Sequence, residues 1–144
     1  WRYLVNLLDQ KIYRQHPELS PKRTVFVGWS AGSTFISGDF LPHVIGDFYH
    51  GGAVLLCGGG DPTPQGAPQN SQQVSADTKR NFKIYYTITG DDFLFRQAMR
   101  GLAYWDWRGL EITGKTFPTG GHCGFDLNAA LRNGLDFIGV KPRH

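Results

Sequence analysis

Three short stretches hold residue types that could do chemistry together: Gly28-Trp29-Ser30-Ala31-Gly32, Gly90-Asp91-Asp92, and Gly120-Gly121-His122-Cys123-Gly124. A serine hydroxyl is a poor nucleophile at neutral pH, and an imidazole can take its proton because its pKa lies near the working pH. A carboxylate behind the imidazole fixes the tautomer and stabilises the imidazolium that forms during attack. Ser30, an aspartate and His122 occur in that chain order, so Ser30 is the candidate nucleophile and His122 the candidate base. The acid is Asp92 or, as the alternative, Asp91. A helix starting near Ala31 aims its free N–H groups at charge developing beside Ser30, and the Ala31 backbone N–H is the candidate oxyanion donor. Trp29 is expected to shape the pocket, unless it is simply packed core.

These residues need a scaffold that brings them to one place. A serine between two glycines arises by chance in about one chain of this length in twenty, so its surroundings matter more than the motif. Thr24 to Val27 is a β-branched and aromatic run that reads as a strand buried on both faces. Strand, sharp turn and helix then follow in order, with no Cβ at Gly28 or Gly32 to clash. Gly52 to Cys57, Phe82 to Thr89 and Leu110 to Phe117 read as three further strands. Ser30 follows the first, Asp91 and Asp92 the third, and His122 the fourth.

Helices fill the intervals. Residues 1–15 are amphipathic, with Leu4, Leu7, Leu8 and Ile12 on one face, and Pro17 ends the helix. A helix from Ala31 is expected to run towards Phe40 and stop before Pro42, leaving Asp39, His43, Gly46 and Asp47 in a loop or short helical turn. Phe93, Gln97, Arg100 and Tyr104 fall on a third helix, and Leu127, Ala130, Leu131, Leu135 and Ile138 on the last. Residues 61–76 read as an irregular loop. Strands alternating with helices at these lengths imply an α/β fold, with a parallel sheet, flanking helices and functional loops at the C-terminal strand ends.

The chain has 144 residues and a net charge of +3, enough for one domain with a real core. Its basic residues are scattered rather than clustered, so no nucleic-acid partner is expected. No apolar run approaches the length needed to span a membrane. Cys57 and Cys123 are more often buried thiols than a pair at such spacing, although both fall near strand ends and a disulfide is the alternative. No metal or organic cofactor is called for by the residues. His16, His43, His50 and His144 are expected to be surface or structural. The chain opens WRYLVNLL, without Met and inside a helical pattern, so it is expected to continue upstream.

The segments GWSAGS, LLCGGGDP, TGDDF and PTGGHCGF resemble, in order and spacing, the α/β-hydrolase superfamily, and within it bacterial esterases related to feruloyl esterases and polyhydroxybutyrate depolymerases. The resemblance implies that Asp92, directly before Phe93, is the acid. It implies ester hydrolysis through an acyl-enzyme, on a small-molecule or polymeric ester, without a cofactor. The superfamily has an eight-stranded, mostly parallel sheet, and the four strands here correspond to its last four. Residues 1–144 are thus expected to be the C-terminal portion of a single domain, completed by an N-terminal half or a second chain. That half would carry the second oxyanion donor, often in a His-Gly-Gly type segment, and none precedes Ser30 here. A non-catalytic binding module on the same fold, and peptidase or thioesterase chemistry on the same residues, stay open as alternatives.

Overall fold

Four extended runs pair into one parallel sheet: β1 (Val25–Trp29), β2 (Gly52–Leu56), β3 (Lys83–Thr89) and the largely exposed β4 (Glu111–Phe117), in the spatial order β1-β2-β3-β4. The structure, a computed structural model, describes residues 1–62 and 74–141. Most of the loop expected over 61–76, and His144, lie outside the described residues.

Each strand leads into a helical segment. The first helix, α1 (Arg2–Leu7), continues through a wider π-helical stretch, Leu8–Tyr13. After β1 come α2 (Ala31–Phe35), another π-helical stretch (Ile36–Phe40) and α3 (Leu41–Val44). Then follow α4 (Ala76–Asn81), α5 (Phe95–Trp107) and α6 (Leu127–Ile138). Among the described residues no helix is long and apolar enough to cross a membrane.

Consecutive strands are also spatial neighbours, so crossovers of one hand put every connecting helix on the same face. On that face Ile36, Phe40, Leu41, Val44, Phe82, Leu102 and Trp105 form the larger core over Phe26, Ala53, Leu55 and Ile84. The opposite face is covered by α6, whose apolar stripe packs on Val54, Leu56 and Tyr85. Gly134 of α6 permits this close approach, because a Cβ there would lie 2.7 Å from Val54 Cγ1.

Several boundaries differ from those read in the sequence. The first strand is not buried on both faces: Phe26 is buried, while Val27 and Trp29 are 49% and 58% exposed. It is an edge strand among the described residues, and its second face receives no helix comparable to α6 over β2 and β3. Pro42 does not stop the helical path, because it falls in the first turn of α3, where a missing N–H leaves no bond unmade. The short helix α4 was not expected; Ser75 caps it by accepting from Thr78 N–H at 3.1 Å. Phe93 precedes α5 rather than lying on it, because residues 89–92 turn first and Asp92 Oδ1 accepts from Leu94 N–H at 2.8 Å.

Candidate active site

The turn after β1 is held by β2. Ser30 N–H donates to Leu56 O at 2.8 Å, while the buried Ser33 hydroxyl donates to Leu56 O and accepts from Leu56 N–H, both at 3.0 Å. Ser30 itself adopts φ 51° and ψ −118°, a conformation close to exclusive to glycine. Two glycines make that conformation possible. A Cβ at Gly28 would meet Ser33 N and Cα at 2.6 Å, and one at Gly58 would meet Ser30 O at 2.3 Å. Gly32 plays no such part, since a Cβ there would meet nothing within 4 Å.

The three strand ends bring together the residues singled out in the sequence. Ser30 Oγ lies 2.7 Å from His122 Nε2, and His122 Nδ1 lies 2.9 Å and 3.0 Å from the two carboxylate oxygens of Asp92. The Asp92 side chain is fully buried and that of His122 is 30% exposed. With Asp92 accepting, Nδ1 carries the proton and Nε2 is left to accept from the Ser30 hydroxyl. Such a relay can draw the proton off a serine as it attacks and return it to a leaving group. Ala31 is exposed at the first position of α2, where backbone N–H groups have no intrahelical acceptor.

Asp91 does not touch His122. Its carboxylate accepts from Gly121 N–H at 2.9 Å and Gly120 N–H at 3.2 Å, and these bonds, that to Gly121 foremost, hold its pKa below the ordinary carboxylate value. Thr89 adds a bond from its hydroxyl to Gly121 O at 2.5 Å. Asp92 is also the residue that turns the chain towards α5, so one carboxylate both organises the local turn and meets the imidazole.

Trp29 is an exposed side chain rather than packed core, and its indole N–H donates to Cys123 Sγ at 2.8 Å. Cys123 is joined to Cys57 in a disulfide, with Cα atoms 5.0 Å apart, contrary to the expectation of two buried thiols. Composition favours thiols because spacing says nothing of proximity; the sheet brings the end of β2 against the loop after β4. Phe93, 76% exposed, lies with its ring 4.6 Å from that of His122, a contact the sequence reading missed by placing Phe93 on a helix. Cys57, His122 and Cys123 set donor atoms within 4.8 Å of one another, but both sulfurs are engaged in the disulfide. His16, His43 and His50 have partners elsewhere: Glu18, the ring of Trp1 and Asp77.

No family model and no curated protein matches the sequence. Solved structures do match. Arabidopsis thaliana SOBER1 superposes with a TM-score of 0.63 at 21% identity, covering 95% of this chain and 60% of that one. A Bacillus cereus carboxylesterase gives a TM-score of 0.66 at 13% identity, covering 95% and 57%. A Pyrococcus horikoshii acylaminoacyl peptidase gives 0.52 at 12%, covering 90% and 25%. The fold is that of the α/β hydrolases. The chain spans about three fifths of the length of SOBER1, the first of these hydrolase-fold structures. Within that fold Ser30 occupies a strand-to-helix turn, and the Asp92 and His122 loops follow later strands of the same sheet.

Proposed function

We propose that this chain belongs to a serine hydrolase that cleaves carboxylic esters through an acyl-enzyme. The observation that carries the reading is the unbroken line of hydrogen bonds from Ser30 through His122 to a buried Asp92, starting at a strained turn. Ser30 Oγ attacks the ester carbonyl as its proton passes to His122 Nε2, and Asp92 stabilises the imidazolium. The oxyanion is met by the Ala31 N–H. Collapse of the tetrahedral species expels the alcohol, which takes the proton from Nε2. Water, deprotonated by the same imidazole, then releases the acid and restores Ser30.

One N–H is half of an ordinary oxyanion hole, and losing a donor costs on the order of a hundred- to a thousand-fold in rate. The edge of β1 bears on this, because among the described residues its outer backbone has no partner strand, and half-exposed Val27 and Trp29 lie beside the nucleophile in the chain. We therefore propose that further strands pair along β1, making residues 1–144 the C-terminal portion of one hydrolase domain, and that the second donor comes with them. The exposed rings of Trp29, next to Ser30 in the chain, and of Phe93, against the His122 ring, favour an ester with an apolar or aromatic part, of the kind that feruloyl or polyhydroxybutyrate esterases accept.

Fluorophosphonate labelling of the full-length protein tests the reading. Covalent modification of the wild type but not of Ser30→Ala is expected, and a well-folded full-length protein that stays unlabelled leaves a non-catalytic module instead. Aryl, acetyl and hydroxybutyryl esters compared with peptides and thioesters then identify the bond cleaved.

A further inference from the structure

His122 sits in a loop whose backbone has little conformational preference of its own. Gly120, Gly121 and Cys123 all have positive φ, at 144°, 65° and 61°, so glycine freedom precedes the imidazole and a sterically disfavoured cysteine follows it. The loop is held in place from both sides of His122. On the N-terminal side, Asp91 and Thr89 hold Gly120 and Gly121. On the C-terminal side, Cys123 is bonded to Cys57, itself at φ 45° and fully buried at the end of the central strand β2. Cys57 also donates its N–H to Thr87 O at 2.8 Å, and its neighbour Gly58 packs against the Ser30 carbonyl. The bridge therefore joins the backbone that supports the nucleophile to the loop that carries the base. A second link runs parallel to it, since Trp29 bonds Cys123 next to the Ser30–His122 pair.

We propose that the Cys57–Cys123 disulfide is a positioning brace for His122 and Trp29, so that the site is active when the bridge is closed and is attenuated by thiol reduction. This rests on the serine-hydrolase reading of Ser30 and His122. Of the two sulfurs, that of Cys123 belongs to a partly exposed residue and that of Cys57 to a fully buried one, so attack falls on Cys123. A dithiol supplies the electrons: one of its thiolates bonds Cys123 Sγ and expels Cys57 as a thiolate, which takes up a proton. Its second thiolate then displaces Cys123 and closes the dithiol into its own disulfide, leaving two protein thiols. Cys123 is then free to leave its disfavoured backbone conformation, and His122, the preceding residue, shifts against Ser30. Because the turn at Ser30 keeps its own bonds to Leu56, the nucleophile stays where it is.

Reduction of the folded full-length protein by dithiothreitol tests this, with alkylation to count the thiols released. The rate of fluorophosphonate labelling at Ser30, and kcat on an aryl ester, should fall about a hundredfold, the effect of a displacement near 1 Å. The loss should fall on kcat more than on KM, far-ultraviolet dichroism should hold, and activity should return on re-oxidation unless the thiols are first alkylated. A readout independent of activity comes from Trp29, whose emission should change on reduction in the wild type and not in Trp29→Phe. Two released thiols with unchanged labelling and turnover would overturn the brace, as would emission that responds identically in both proteins. Absence of labelling in either redox state would instead sink the hydrolase reading and thiol-sensitive activity with it. The double variant Cys57→Ala/Cys123→Ala, if folded, should match the reduced protein and ignore dithiothreitol; full activity in it overturns the proposal.

Discussion

Replacing Ser30 by glycine should make the protein more stable than replacing it by alanine, the reverse of the usual order. At an ordinary site glycine is worse than alanine by about 0.5–1 kcal/mol, because the unfolded chain loses more freedom. At Ser30 the backbone sits at φ 51° and ψ −118°. A residue with a Cβ is strained there by about 1–3 kcal/mol, and glycine is not. Both substitutions remove the same hydroxyl and its 2.7 Å bond to His122, so that loss cancels in the comparison. Taking the middle of each range leaves glycine ahead by about 1 kcal/mol, which for a chain of this size is a rise in Tm of about 3 °C. The assay is thermal and urea unfolding of the two variants side by side, with fluorophosphonate labelling to verify that each is inert. An alanine variant as stable as the glycine variant, or more so, would refute the view that the turn stores strain to present the hydroxyl.

Asp92→Asn should lower kcat by about ten-thousandfold, because an amide holds His122 in the wrong tautomer, whereas Asp91→Asn should cost far less; steady-state ester hydrolysis separates them. Asp91 also predicts a pH effect. Its folded pKa is depressed by the Gly121 and Gly120 N–H groups, so its contribution is complete above the ordinary carboxylate value and is lost as pH falls through the lower folded one. Unfolding followed between neutral and strongly acidic pH should show this acid loss in the wild type and less of it in Asp91→Asn. Gly58→Ala would put a methyl 2.3 Å from the Ser30 carbonyl, and main chain cannot yield as a side chain does. Labelling at Ser30 should fall sharply in this variant while far-ultraviolet dichroism shows the sheet retained.

Local physics wrote much of this protein into its sequence. Runs of strand length alternating with amphipathic helices imply a parallel sheet, and loops at the C-terminal strand ends gather Ser30, Asp92 and His122 whatever their spacing in the chain. What the sequence left open depends on direction and distance. Asp91 and Asp92 are adjacent, so no pattern tells which carboxylate faces the imidazole; the turn after β3 aims one at His122 and the other at the Gly120–Gly121 backbone. Cys57 and Cys123 stand 66 residues apart, and only the packing of β2 against the loop after β4 makes them partners. Trp29 reads as pocket with packed core as the alternative, because an indole suits both; exposure on an edge strand excludes the core. Residue type and periodicity are local properties carried by the chain itself. Which side chain meets which is a property of three-dimensional contact, and it exists only once the sheet has formed.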